Sequence, residues 1–254
     1  MGQLTNQSID SATSQFGRAL IMLREMVLRG EFAPGDRLLT VPLAERIGVS
    51  RTPIRLALER LAQEGILESR SGSGFTVRQF TVGDIWDAVE ARGVLEGAAA
   101  RLAAERLEHA GELDPLWRLN DQLHELARSG QASNADLPGH RDAVARYAEI
   151  NEAFHSGVVD LAKSKMLRWS LDRVQTIPFV RPGAGVISPA SPDIVKLSVD
   201  HHNCILESIR DREGARAESL TREHARLVRR NLEGVLKRAS ESDDLPRVPL
   251  VSMM

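Results

Sequence analysis

Residues Thr40 to Gly65 read TVPLAERIGVSRTPIRLALERLAQEG, and this stretch decides what the first part of the chain is. Thr40 is a residue type that caps helix N-termini, Pro42 is tolerated in a first turn, and Leu43, Ala44 and Ile47 form an apolar stripe that stops at Gly48. The spacing predicts a helix of about two turns. Ser50 then stands where a cap is needed for a second helix, with Pro53 in its first turn and Ile54, Ala57, Leu58 and Leu61 on one face. Arg51, Thr52 and Arg55 lie off that stripe, so burial does not account for them. In a helix-turn-helix these are the positions that meet base edges, because the major groove admits a helix end and Arg can bridge O6 and N7 of guanine. The alternative is a small helical bundle with ordinary surface arginines.

Working outward, Ile66 to Glu68 and Phe75 to Val77 can pair as two short strands around the tip Arg70-Ser71-Gly72-Ser73-Gly74, a wing able to reach phosphates or the minor groove. Ser73 and Gly74 of that tip, and also Arg37, join Ser50, Arg51, Thr52 and Arg55 as predicted DNA contacts. Upstream, a helix is expected from about Phe16 to Arg29, with Leu20, Leu23, Val27 and Leu28 on its core face, ending at Gly30. Glu31 to Gly35 is a turn, residues 1–15 read as a mobile arm, and Gln79 to Thr81 reads as a short linker.

The segment GEFAPGDRLLTVPLAERIGVSRTPIRLALERLAQEGILESRSGSGFTV, Gly30 to Val77, resembles the winged helix-turn-helix of the GntR superfamily of bacterial transcription regulators. The correspondence runs without a gap and holds at Pro34, Gly35, Leu38, Val49, Ser50, Arg51, Thr52, Pro53, Arg55, Gly65 and Gly74. Two positions depart from the pattern. Leu56 stands where members usually carry Glu, and Val41 where some place a base-reading Arg.

At 254 residues the chain is long enough for two domains, each with its own core. It is 42% hydrophobic and 27% charged with no apolar run near the length of a membrane span, and Met1 to Ser14 lacks the pattern of a secretory signal. The single cysteine, Cys204, cannot form an internal disulfide, which fits a reducing cytoplasm; it also reads simply as a small buried residue. The formal charge of -2 is unevenly spread: residues 17–79 carry ten Lys+Arg against seven Asp+Glu, and residues 80–254 carry 23 against 27. A mildly basic head on an acidic body suits DNA binding by the head alone.

The expected fold is mainly α. Residues 16–79 are expected to form a winged helix-turn-helix of three helices and a small β-wing, residues 80–240 an all-α bundle, and residues 241–254 a loose tail. Helices are expected from Thr81 or Asp84 onward and at about Asp114 to Ser129, His140 to Ala162, Lys165 to Gln175, Pro192 to Arg210 and Glu213 to Ala239. The proline-rich stretch Ile177 to Pro192 cannot be regular helix.

Asn151 and His155 leave one helix face a turn apart, His201 and His202 lie on the next-to-last helix, and His224 on the last. Three imidazoles and one oxygen around a shared core suit zinc, nickel or manganese with an open position. Periodicity alone leaves His201 and His202 equivalent, and histidines at helical spacing also occur as packed or solvated residues. Here a second resemblance enters. E.R..LE..AA..LA at Glu90 to Ala103, N..FH at Asn151 to His155, H..I at His202 to Ile205, and His224 are similar to the FadR-type, or FCD, ligand-binding domain. That resemblance implies Asn151, His155, His202 and His224 as the ligand set. The ion's open position and a nearby arginine would seat a small carboxylate effector, with Arg92 of E.R..LE the first candidate and Arg181, in the proline- and glycine-rich loop, the second, although Arg92 can equally pair with Glu96 on its own helix. The whole then reads as a homodimeric, effector-released repressor on double-stranded operator DNA, with no membrane association. A metal-dependent enzyme built on the three histidines is the alternative, but no HExxH, GxSxG or phosphate-loop motif accompanies them. A purely structural metal is the other.

Overall fold

The computed structural model describes residues 6–28, 30–70, 74–134, 136–177, 180–182, 192–241 and 251–252. The chain divides into two compact units, one of residues 1–83 with 247–254 and one of residues 84–246.

The first unit opens with α1 (Asn6–Leu28) and continues through β1 (Arg37–Leu38), α2 (Thr40–Ile47), α3 (Arg51–Gln63), β2 (Leu67–Arg70), β3 (Gly74–Val77) and β4 (Phe80–Thr81). Ala19, Leu23, Met26 and Val27 give α1 a buried seam, and α1 packs on α3 through Ile54, Ala57, Leu58 and Leu61. Arg24 on α1 reaches Glu64 just past α3 at 2.6 Å. Gly48 ends α2 in the left-handed region at φ 74°, its N–H donating to the Ala44 carbonyl, so the turn into α3 needs the residue that tolerates that backbone.

β2 and β3 form the expected hairpin with Leu67 opposite Val77 and Arg70 opposite Gly74. Unread in the sequence is β1, which adds to the other side of β3 with Arg37 opposite Thr76 and makes the wing three-stranded.

Several expectations are corrected here. The first helix begins at Asn6, not near Phe16, so residues 6–15 are helical instead of a mobile arm. Their polar sequence offers no apolar period, but it contains no glycine or proline to stop a helix propagating from the packed segment. Leu39, not Thr40, occupies the cap position of α2. The linker is strand β4, with Phe80 buried, and it pairs in parallel with β5 (Val251–Ser252), which lies within the stretch expected to be a loose tail. A two-residue pairing between distant segments leaves no periodic trace.

The second unit is built from α4 (Val82–Arg106), a 3-10 turn at Ala110–Leu113, α5 (Asp114–Ser129), α6 (His140–Leu161), α7 (Lys165–Val174), α8 (Pro192–Arg210) and α9 (Gly214–Glu241). Its core runs from Ala100, Ala103 and Ala104 of α4 through Leu116, Phe154 and Val158 to Ile205, Ile209 and Ala217. The small side chains of α4 let its neighbours approach closely. A Cβ on Gly97 would lie 2.8 Å from Arg222 Cγ, and one on Gly157 of α6 would lie 2.3 Å from Leu116 Cδ2 on α5. Among the described residues no helix is long and apolar enough to cross a membrane.

Candidate DNA-reading face and metal centre

Ser50 is the N-cap of α3, exposed and extended, but its hydroxyl makes no capping hydrogen bond. Pro53 stands at the third helical position and has no N–H to offer, which removes the donor such a cap usually takes. Arg51 and Thr52 follow, both exposed, and Arg55 projects one turn later with its side chain 64% exposed and 3.7 Å from Glu59. Arg37 is exposed on β1 and Gly74 begins β3; Ser73 lies outside the described residues. The buried side of α3 is thus the aliphatic stripe, and the outer side presents Arg51, Thr52 and Arg55 together with Leu56 and Glu59.

The histidines of the second unit converge. Nε2 of His224 lies 3.2 Å from Nε2 of His155 and 3.3 Å from Nε2 of His202, and all three residues are buried. Two imidazoles bound to one zinc in a tetrahedral site would stand about 3.3 Å apart, from the usual Zn–N length. His202, not His201, joins the group; His201 is half-buried beside it. Phe154 stacks on the His202 ring with centroids 4.0 Å apart and fixes its plane.

The remote nitrogens are held from outside. His155 Nδ1 lies 3.3 Å from Glu96 Oε2, and His202 Nδ1 lies 3.2 Å from Asn120 Oδ1. Asn120 Oδ1 can only accept, so the His202 proton sits on Nδ1 and its Nε2 lone pair faces inward; the carboxylate beside His155 Nδ1, an ion-pair contact without a hydrogen bond, favours the same proton position there. Burial, then the neighbouring imidazoles, push His202 and His224 well below the usual histidine value, which keeps both neutral. Asn151, one turn before His155, has a buried Oδ1 with no hydrogen-bond partner, and His224 Nδ1 is likewise buried and unpartnered. Neutral inward lone pairs and an orphaned amide oxygen fit a divalent cation better than they fit each other.

Arg92 is fully buried on α4, with Nη1 donating to the Val180 carbonyl at 2.6 Å and Nε 3.2 Å from Glu96 Oε1. Its Nη2 is buried with no hydrogen-bond partner. Arg92 thus makes an ion pair with Glu96, while its Nε and Nη2 are both buried without a hydrogen-bond partner. Arg181 is different. It is exposed and sits 3.6 Å from Glu152, outside the buried group. The tripeptide Val180-Arg181-Pro182 turns its apolar members in and leaves the guanidinium to solvent. Glu96 as a partner of His155, and Asn120 behind His202, were missed by sequence reasoning. The signals for Glu96 were its place in E.R..LE and its position four residues after Arg92, and neither pointed to His155.

Residues 18–77 match the bacterial regulatory proteins of the gntR family, and residues 87–227 match the FCD domain. The chain belongs to the GntR family of regulators with an FCD C-terminal domain. An uncharacterized HTH-type transcriptional regulator of Bacillus subtilis, YdhC, is 26% identical over 220 residues, covering 86% of this chain and 81% of its own. A probable D-xylose utilization operon transcriptional repressor of Paenarthrobacter nicotinovorans is 28% identical, covering 69% of this chain and 80% of its own. Among solved structures, E. coli McbR/YncC aligns over 89% of this chain and 98% of its own with a TM-score of 0.59 at 23% identity, a likeness of fold. These families and relatives are transcriptional regulators and not enzymes, and this GntR–FCD chain is a transcriptional regulator with a three-histidine group able to bind a metal.

Proposed function

We propose that the chain is a homodimeric cytoplasmic repressor that binds operator DNA through α3 and the wing and is released by a small organic carboxylate bound in the helical domain. A divalent transition metal, zinc, nickel or manganese, is held by Asn151, His155, His202 and His224. The observation that carries this reading is the buried meeting of three histidines, with His224 Nε2 3.2 and 3.3 Å from Nε2 of His155 and His202, in a chain that also has a winged helix-turn-helix. When bound, the ion would supply a Lewis-acidic position for one carboxylate oxygen. The unpartnered Nη2 of Arg92 supplies a donor for the other, and a buried donor left unpaired costs about 1–3 kcal/mol, so a carboxylate that reaches it gains that amount in relief.

Two copies of one reading helix meet a palindromic operator with matched symmetry, whereas a single short site would be weakly specific. Release requires that the acid bind the DNA-incompetent state more tightly; equal affinity for both states moves nothing.

The test is a fluorescence-anisotropy titration of the chain on its own upstream DNA, repeated with a panel of small carboxylates and after exhaustive chelation. Tight, salt-sensitive binding abolished by one acid supports the reading. Arg55→Ala should weaken that binding by about 1–3 kcal/mol if the guanidinium reads a base. No binding to any upstream fragment at low salt would overturn it.

A further inference from the structure

We infer that Asn120, Asn203 and His124 form a tautomer lock on His202, positioning residues that keep its Nε2 lone pair aimed into the three-histidine group. The inference rests on the metal reading of that group and assigns a role to three residues outside the ligand set.

The lock is a chain of three hydrogen bonds joining α5 to α8. His202 Nδ1–H donates to Asn120 Oδ1 at 3.2 Å, Asn120 Nδ2 donates to Asn203 Oδ1 at 2.6 Å, and Asn203 Nδ2 donates to His124 Nε2 at 2.8 Å. Asn120 and His124 stand one turn apart on α5, and His202 and Asn203 are neighbours on α8, so the four side chains alternate across the interface between the two helices. Asn120 is completely buried, while Asn203 and His124 are half-buried.

The direction of the chain is what matters. A carboxamide donates only through nitrogen and accepts only through oxygen. All three donors point away from the histidine group toward His124. That sense requires the proton of His202 on Nδ1 and leaves Nε2 bare, which is the form a metal ligand must take. Turning both amides over would reverse every bond. His124 would then donate, and Asn120 would present an N–H to His202 Nδ1. The His202 proton would move to Nε2, where it would face the other imidazoles and close that lone pair. The far end of the chain, at half-buried His124, therefore selects the tautomer at the buried end. Phe154, stacked on the same ring, holds its plane but is indifferent to which nitrogen carries the proton.

His155 is steered differently, by the charge of Glu96 3.3 Å from its Nδ1, a contact without a hydrogen bond. A carboxylate has no donor and cannot reverse. The amide chain can, and this sets His202 apart.

Two measurements on the full-length chain test the lock. Ring 15N spectra of the metal-free protein report the His202 tautomer, and competition with a chromophoric chelator at fixed pH reports Zn2+ affinity. In the wild type His202 is expected as the Nδ1–H form. Asn120→Leu removes the acceptor and should give mixed tautomers with Zn2+ affinity about 10–100-fold weaker. Asn120→Asp keeps an oxygen facing His202 and should retain Nδ1–H and the affinity; a role in packing alone would not separate the two variants this way. His202 found as Nε2–H in the wild type, or unchanged Zn2+ affinity in Asn120→Leu, overturns the lock and leaves the metal reading standing. If the wild type takes up no Zn2+, the metal reading falls, and the tautomer measured without metal still decides the lock.

Discussion

Glu96 is the residue at which burial and charge oppose each other most directly. Burial alone would raise its carboxyl; the Arg92 guanidinium 3.2 Å away is the largest opposing influence, and the group comes from 4.5 down to about 2. Its folded value lies below the unfolded one, so its contribution to stability is present above 4.5 and is lost as pH falls toward 2. His202 and His224 act with the same sign from a higher starting point. Their folded values lie well below 6.5, so the unfolded chain takes up protons first and stability declines as pH falls through 6.5. The expected outcome is a melting temperature, measured in chelator, that is level above neutral pH and drops below it, with a shallower drop in His202→Gln. At neutral pH, Glu96→Gln removes the anion and leaves Arg92 charged in the interior, a loss of about 3–5 kcal/mol in urea unfolding. Sequence reading reached His155, His202 and His224 because a motif marks them. It could not reach Asn120 or Asn203, which become partners only when α5 and α8 meet, 83 positions apart in the chain.

At the scale of elements, α5 and α8 run over the residues expected from periodicity, Asp114–Ser129 and Pro192–Arg210, because each has an apolar stripe and clear ends. The short strands were not legible in the same way. β1, β4 and β5 have two residues each, too few for an alternation, and their existence depends on distant partners. Close helix approach is equally silent in the sequence, since a glycine inside a helix looks like a weakness. Gly157 is one such position. Ala would ordinarily improve a helix by about 1 kcal/mol over Gly. Here the added methyl would lie 2.3 Å from Leu116 Cδ2, and Leu116 is buried in the core with Phe154 and Val158, with little room to retreat. Overpacking of this kind costs about 1–3 kcal/mol, so Gly157→Ala is expected to be destabilising in spite of propensity. Denaturant midpoints of the wild type and variant decide the sign. Because Gly157 lies two residues from His155, the same variant should also weaken Zn2+ uptake if α6 shifts to relieve the overlap.

At the scale of the whole molecule, the regulator reading makes a demand that no single site can meet. Suppose an acid weakens operator binding by some factor. Then operator DNA must weaken binding of that acid by the same factor, because the two affinities are linked through one free energy of coupling. For regulators that coupling is typically about 1–3 kcal/mol, or roughly 5- to 150-fold. Both sides are measurable on this chain, the first by anisotropy with saturating acid and the second by calorimetric titration of acid into the protein with and without operator. Equal factors are expected. The proposed metal sharpens the demand, since the histidine group lies in the second unit and Arg51, Thr52 and Arg55, proposed to read DNA, in the first. Chelation should lower acid affinity and, with it, the acid's effect on DNA, while operator affinity in the absence of acid changes by the metal's own coupling to DNA and no more. An acid that released DNA equally well from chelated and loaded protein would act away from the histidine group. It would separate the DNA-binding function proposed for α3 from the ligand function proposed for His155, His202 and His224.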